Sequence, residues 1–216
     1  MLYVDGHRVV VAVLTETWHG RWTLDVKAEE AVVMNGKVVF SIADVGEWHG
    51  AVVRSGVEQG AYRARIVGGG GGWGKALERR PYSFGSVQRS QVLKDAASEC
   101  GESVSLDSAY EASLGSHYVR LAGPASRVLE GLPWYVGRDG ITYVAERSGD
   151  LITSHFDFIG ARYDRGIVTI ATDTPQDWVP GRRFESDFIS SKTISCARHT
   201  WQAERCRSEI WYAEAT

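Results

Sequence analysis

Apolar and polar residues alternate over most of the first 67 positions, with the period of two that is typical of β-strands. Trp22, Leu24 and Val26 share one face of such a segment. Asn35-Gly36 separates the apolar run Val32-Val33-Met34 from a second run, and Asn-Gly in this position is a strong hairpin signal. We therefore predict five or six strands with short turns, folded as a small barrel or sandwich.

After position 85 the spacing of apolar residues changes to that of a helix. Apolar residues then recur at three- and four-residue spacing, as Val87, Leu93, Ala96, Ala97 and Cys100. A serine at the start and a glycine at the end are typical helix boundaries. The pattern predicts a helix that begins at Ser86, ends at Gly101 and packs on a sheet with this stripe.

Shorter elements follow the helix. The alternation at 117–121 predicts a strand, and Pro124 is suited to begin a short helix that ends near Gly131. Asp139-Gly140 indicates a hairpin over 134–144. Beyond position 147 the β pattern returns, with a turn at Asp164-Arg165-Gly166 inside the β segment 158–172 and with strands at 192–199 and 205–214. The chain divides into a β unit (1–67), an α/β insert (68–147) and a second β unit (148–216).

A glycine run marks the first boundary. Residues 69–75 match the phosphate-loop template Gly-x-x-x-x-Gly-Lys, but Ala76 replaces the hydroxyl residue that would bind magnesium. Pro81 also ends any helix that would follow Lys75. A flexible or tightly turning connector is the favoured interpretation. A degenerate nucleotide-binding enzyme is the alternative.

Composition excludes several classes of partner. The net charge of −3 lacks the basic excess expected for specific nucleic-acid binding. No apolar stretch reaches the length of a membrane helix, and the N-terminus lacks the form of a signal peptide, so we expect synthesis in the cytoplasm. The cysteines and histidines lack metal-ligand spacing, and no cofactor is predicted. Cys196 and Cys206 could face each other across a hairpin, although reduced thiols are the favoured interpretation.

No set of residues combines the right types, spacing and local structure for catalysis. The segment Ser113-Leu114-Gly115-Ser116-His117 lacks the nucleophile elbow of a serine hydrolase. We therefore predict a protein that is not an enzyme, with a hydrolase as an alternative. Eight tryptophans leave a carbohydrate- or surface-binding module open. Arg79-Arg80 flanks a turn and could bind phosphate or form ion pairs between subunits, although solvated turn charges are the favoured interpretation.

Several segments together resemble tailed-phage baseplate hub proteins. The middle of that family is similar, in order, to Arg65-Ile66-Val67-Gly68-Gly69, Tyr82-Ser83-Phe84-Gly85, the helix 91–102, the strand Tyr118-Val119-Arg120, the helix 125–132 and the hairpin 135–144. The end of the hub's second barrel is similar to Pro180-Gly181, Arg198-His199-Thr200 and the strand 207–211. The pentaglycine and the segment 184–191 depart from the family pattern.

The resemblance implies a mainly β (α+β) fold, in which an α/β insert bridges two small tail-tube-like β-barrel domains. It implies a structural protein of the virion tail baseplate, made in the host cytoplasm. A homotrimer would form a ring that joins the tail tube to the central spike or tail tip. The implied partners are tube, spike and other baseplate proteins, without a membrane. The interface or joint candidates are Gly68, Gly69, Gly70, Gly71, Gly72, Trp73, Gly74, Arg79, Arg80, Trp201 and Trp211.

Overall fold

A computed structural model describes residues 1–30, 32, 34–58, 60–83, 85–187, 189–202 and 205–213. These residues form eighteen strands, one α-helix and five short 3-10 helices. The strands are β1 (Leu2–Val4), β2 (His7–Thr17), β3 (Thr23–Ala28), β4 (Lys37–Ile42), β5 (Gly46–Glu58), β6 (Ala61–Gly68), β7 (Ala76–Leu77), β8 (Arg80–Ser83), β9 (Val104–Leu106), β10 (His117–Arg120), β11 (Gly123–Pro124), β12 (Tyr135–Val136), β13 (Thr142–Val144), β14 (Asp157–Arg162), β15 (Ile167–Ala171), β16 (Arg183–Ser186), β17 (Ile189–Gln202) and β18 (Arg205–Ala213). The α-helix, α1, is Arg89–Cys100, and the 3-10 helices are Gly72–Gly74, Ser108–Tyr110, Ala125–Leu129, Tyr163–Arg165 and Pro175–Asp177.

The N-terminal strands close into a six-stranded antiparallel barrel. The order is β1-β4-β5-β6-β3-β2, and β2 returns to pair with β1 through Tyr3 and Arg8. Inward-facing residues alternate with exposed ones along each strand, as expected for a small barrel filled by side chains. Trp22, Phe40 and Trp48 lie in its core with at most 1% of their surface exposed. The predicted barrel is confirmed.

The C-terminal strands continue the same sheet. β17 pairs with β2 through seven residue pairs, from Cys196 opposite Thr17 to Gln202 opposite Val11. β18, β15 and β14 then follow in order, and β16 pairs with the beginning of β17. A second core of Trp178, Phe184 and other buried residues lies within this half. The mainly β fold class is therefore confirmed, and the division at 67 and 147 stays a prediction.

The insert carries α1 and three small sheets: β10 with β8, β11 with β7, and β12-β13-β9. The predicted apolar stripe is confirmed, since all five of its members are buried. Gly101 ends the helix with a φ of 82°, also as predicted. The N-cap prediction was wrong, because Gln88 occupies the N-cap position, without a side-chain capping hydrogen bond, while the Ser86 hydroxyl bonds that of Ser113.

The hairpin predictions have mixed outcomes. The hairpins around Asp139-Gly140 and around 164–166 are confirmed as β12–β13 and β14–β15. The short helix after Pro124 is present as a 3-10 helix. After Asn35-Gly36, β4 pairs with β1 and β5, but the run before it includes Val33, which lies outside the described residues. Phe84 and Glu214, used in other predictions, also lie outside them.

The close approach of β6 to Trp22 leads to a stability prediction. A Cβ at Gly68 would lie 2.6 Å from Trp22 Nε1, and the Trp22 indole is fully buried. Gly68→Ala therefore forces a rigid side chain to move, and we expect a loss of about 1–3 kcal/mol in urea unfolding. Gly56→Ala is the control, because nothing lies within 4 Å of its added Cβ. Equal unfolding midpoints for the two variants would contradict this packing.

Candidate functional site

The glycine run forms a tight turn whose backbone N–H groups converge on one carboxylate. Gly69 and Gly71 have φ values of 81° and 74°, which lie in the left-handed region that favours glycine. The N–H of Gly70 donates to Glu102 Oε2 at 2.6 Å, and the N–H of Gly72 donates to Glu102 Oε1 at 2.5 Å. Successive N–H groups that point into one concavity are a typical anion-binding arrangement. Here the anion is the chain's own buried Glu102 side chain.

Lys75 completes this internal arrangement. Its Nζ donates to the carbonyl oxygen of Cys100 at 3.0 Å, so that its charge lies at the C-terminal end of α1, where a cation is favourable. In a phosphate loop, the lysine and the loop N–H groups would instead bind phosphate. Because both are engaged within the chain, the geometry gives no support to the nucleotide-binding alternative.

Close packing explains why these positions are glycine. A Cβ at Gly70 would overlap the carbonyl oxygen of Gly101, and one at Gly72 would overlap that of Cys100. The run therefore lies directly against the last turn of α1 and the residue that ends it. It connects β6 of the barrel to the insert as a packed joint.

Trp73 anchors the joint. Only 1% of its surface is exposed, and its Nε1 donates to Thr142 Oγ1 at 2.9 Å. The indole packs in the insert core with Leu93, Ala97 and other apolar residues. Trp73 thus packs and hydrogen-bonds within its own chain. A role of the glycine run at an interface between subunits stays a prediction, for which Gly74 is the exposed member.

The other predicted residues lie in two places, the surface of the insert and the β17–β18 hairpin. Arg79 is exposed, while Arg80 pairs with Asp95 at 3.2 Å and with Glu99 at 2.6 Å. Arg120 also bonds Glu99, and this bond is the main cause that lowers the pKa of the Glu99 carboxyl. These contacts place Arg80 in an ion-pair network on the surface of the insert. Its predicted role between subunits remains a prediction.

Trp201 and Trp211 lie on the β17–β18 hairpin, each opposite a cysteine. Trp201 is opposite Cys206, and Trp211 is opposite Cys196. The two cysteines therefore do not face each other, and all three cysteines of the chain are free thiols, as favoured from the sequence. Burial raises the pKa of both thiols to about 11. They act as small apolar side chains.

A buried polar group that no sequence pattern indicates lies in the C-terminal half. His199 Nδ1 lies 2.8 Å from Ser208 Oγ, and its Nε2 lies 3.2 Å from the carbonyl oxygen of Trp178. The carbonyl oxygen can only accept a hydrogen bond, so Nε2 donates to it and Nδ1 accepts from the serine hydroxyl. Burial, aided by nearby Arg138, lowers the pKa of His199 to about 4. The pair resembles a catalytic serine and base, but at most 1% of either residue is exposed, so substrate cannot reach it.

The described part of the chain contains few features of other classes of site. No group of three or more His, Cys, Asp or Glu residues there is arranged to hold a metal ion. None of its helices has the length and apolar character needed to span a membrane. The eight tryptophans are all buried or half-buried. None of them is a fully exposed indole of the kind that stacks on a sugar.

Several solved structures are similar to this chain. No protein-family model and no curated protein matches the sequence. A tail protein from Neisseria meningitidis MC58 has a TM-score of 0.67 at 10% identity, over 99% of this chain and 96% of that one. The 43 kDa tail protein of prophage MuSo2 from Shewanella oneidensis has a TM-score of 0.61 at 7% identity, over 98% and 96%.

A third similar structure comes from a secretion system. It is an E. coli component of the type VI secretion system, described as structurally similar to the T4 bacteriophage tail proteins gp27 and gp5. Its TM-score is 0.63 at 12% identity, over 99% of this chain and 77% of that one. Identities this low establish the fold alone. The chain has the fold of phage-type tail proteins, as the sequence resemblance implied.

The glycine joint predicts a specific effect of removing the Glu102 charge. Glu102→Gln replaces one accepting oxygen with an NH₂ group that faces a backbone N–H. Because a buried donor then lacks its acceptor, we expect a loss of about 1–3 kcal/mol in chemical unfolding. Glu130→Gln, at an exposed position of the same insert, should change stability by less than about 0.5 kcal/mol. A Glu102→Gln protein as stable as the parent would contradict the joint.

The low pKa of His199 predicts that stability depends on pH. The unfolded chain binds a proton at His199 near pH 6.5, whereas the folded chain does so near pH 4. This contribution is complete above pH 6.5 and is lost as the pH falls towards 4, by up to about 3 kcal/mol. Urea unfolding of the parent and His199→Asn at pH 7 and 4.5 measures it.

The His199→Asn variant should lack this component of the pH dependence, because asparagine does not titrate. His155→Asn is the matched control, since the side chain of His155 is 91% exposed and the variant should keep the parent's dependence. The same pH slope in the parent and in His199→Asn would show that His199 is not held neutral by the fold.

Proposed function

We propose that this chain is a structural subunit of a phage-type tail, in which copies assemble into a ring that joins the tail tube to the central spike or tail tip. Support comes from the fold, since tail proteins match almost the whole chain. In this proposal the protein is located in the baseplate region of the virion tail, is made in the host cytoplasm, and acts through assembly and not catalysis.

The observation that carries the proposal is an open sheet with two exposed edges. Eight of its strands follow the order β5-β6-β3-β2-β17-β18-β15-β14. At one end, β14 pairs with β15 alone among the described strands. At the other end, β4 reaches only as far as Ala51 on β5, so that residues 52–58 pair with β6 alone among the described strands.

Large apolar side chains are exposed at both edges. Val53 and Val57 of β5 are 50% and 63% exposed, and Ile159 of β14 and Tyr163 just after it are 50% and 60% exposed. Unpaired sheet edges are suited to pair with another chain. Monomeric proteins usually cover them, and here apolar residues extend the surface that a neighbour would bury. A second copy of the chain fits both edges.

The two edges differ in sequence, which decides the kind of assembly. Pairing β5 of one copy with β14 of the next is a head-to-tail contact, and such contacts form rings when the rotation closes. Three copies, each with two β units, would continue a tube of six-fold symmetry, as the resemblance implies. Tube, spike and other baseplate proteins would then bind the two faces of the ring.

The proposal is tested by the mass of the assembly. Light scattering after size-exclusion chromatography, over a range of concentrations, should show a species of three times the 23.8 kDa chain mass that dissociates on dilution. Negative-stain images should show rings with a central opening. A chain that remains monomeric at every concentration, also with tube and spike proteins added, would contradict the proposal.

A further inference from the structure

The two halves of the sheet are built by the same sequence of pairings. In the N-terminal half, β2 pairs with β3, β3 with β6, and β5 with both β4 and β6. In the C-terminal half, β14 pairs with β15, β15 with β18, and β17 with both β16 and β18. All eight pairings are antiparallel. The halves are therefore a head-to-tail structural repeat, with β14 equivalent to β2 and β17 equivalent to β5.

β-Bulges fix the register of this repeat at one end. On β2 the register shifts at Val10, between Val9 and Val11, and on β14 it shifts at Ile159, between Phe158 and Gly160. A bulge inserts one extra residue at a defined position of a strand. Aligning Val10 with Ile159 makes Val13 equivalent to Arg162.

The register can be followed across both halves from this starting point. Val13 is opposite Asp25, Asp25 is opposite Arg65, and Arg65 is opposite Arg54. In the other half, Arg162 is opposite Ile167, Ile167 is opposite Trp211, and Trp211 is opposite Cys196. Arg54 is thus equivalent to Cys196.

Bulges at the other end provide an independent check. The register of β5 with β6 shifts at Val53, directly before Arg54, and that of β17 with β18 shifts at Ser195, directly before Cys196. Two alignments that start from different bulges agree across four strands in each half. The repeat therefore holds at the level of single residues.

One contact inside the chain then serves as the template for a contact between chains. β17 pairs with β2, and their equivalents, β5 and β14, are the two exposed edges. We propose that β5 of one copy pairs antiparallel with β14 of the next in the register of the β17–β2 pair. This inference rests on the proposed ring assembly and specifies its interface.

The template names the residues that meet. Thr200 lies opposite Val13 within the chain, and their equivalents are Glu58 and Arg162. His199 lies opposite Leu14, and their equivalents are Val57 and Tyr163. The template therefore places Glu58 of one copy opposite Arg162 of the next, with Val57 beside Tyr163. Among the described residues, Glu58 and Arg162 are the one pair in which both members are strand residues, because β5 ends at Glu58 and Tyr163 begins the 3-10 helix that follows β14.

The chemistry of these pairs is complementary. Glu58 and Arg162 have opposite charges, and their side chains are 62% and 51% exposed. Each has an ion-pair partner in its own chain, Arg63 for Glu58 and Glu209 for Arg162, so the contact would join two pairs into one alternating network. Val57 and Tyr163 are the most exposed apolar residues of the two edges. Pairing them removes apolar surface from water, which favours association.

Cysteine cross-linking tests the register. In the Val57→Cys/Tyr163→Cys protein, mild oxidation should give covalent dimers and trimers on a non-reducing gel, because these two positions directly adjoin the Glu58–Arg162 pair and the template brings them within reach of a disulfide. Val53→Cys/Tyr163→Cys is the out-of-register control, and each single variant and the parent measure the background. Stronger cross-linking in the control, or in Val57→Cys alone, would overturn the inference.

Charge reversal supplies a second readout that needs no cysteine. Glu58→Arg and Arg162→Glu should each raise the dissociation constant of the assembly by about fivefold, since each places like charges opposite. The double reversal should restore it to near the parent value. Because both side chains are exposed, all variants should fold, with unchanged thermal unfolding of the monomer. Two single effects that add in the double variant would contradict the pair.

The outcomes separate this inference from the proposed function. If a ring forms but shows neither the Val57–Tyr163 cross-link nor rescue by the double charge reversal, the proposed register is wrong and the proposed ring assembly stands. If the chain stays monomeric and forms no cross-link, both the register and the ring assembly are wrong.

Discussion

The pairing of β2 with β17 is the contact on which the architecture depends. β2 takes part in three pairings: its first residues with β1, most of its length with β3, and Val11 to Thr17 with β17. It closes the N-terminal barrel and also joins that barrel to the C-terminal half. Each half has its own apolar core, but this shared strand makes one sheet of both. Backbone hydrogen bonds hold the halves in a fixed orientation.

The local sequence pattern was sufficient to predict the helices and strands, but not the pairing of β2 with β17. The alternation of Trp22, Leu24 and Val26 predicts a strand because one face must be buried, and the stripe on α1 predicts a helix for the same reason. Turn residues at Asp139-Gly140 predict a hairpin because few residues adopt the backbone conformation of the turn. The partner of β2 lies about 180 residues away, and no periodicity within either strand identifies a partner at that distance.

The position of the candidate site could be predicted from the sequence, but its contacts could not. The glycine run stands out in the sequence, and the missing hydroxyl at Ala76 weakens the phosphate interpretation. Glu102 could not be chosen among the 27 acidic residues, because its role depends on how the end of α1 approaches the run. One local signal was available: a polar residue directly after the glycine that ends an apolar stripe. His199 likewise became distinctive only when folding brought Ser208 and Trp178 to it.

The packing of the glycine joint also limits the length of the run. Repetitive glycine segments usually tolerate gain or loss of a residue, since most of them are solvated linkers. In this chain, Gly70 and Gly72 both donate to one carboxylate, and Trp73 occupies a defined place in the insert core. One glycine more or fewer would move Trp73 out of phase with Glu102 and Thr142. The count of glycines is therefore as much a structural parameter of this protein as their identity.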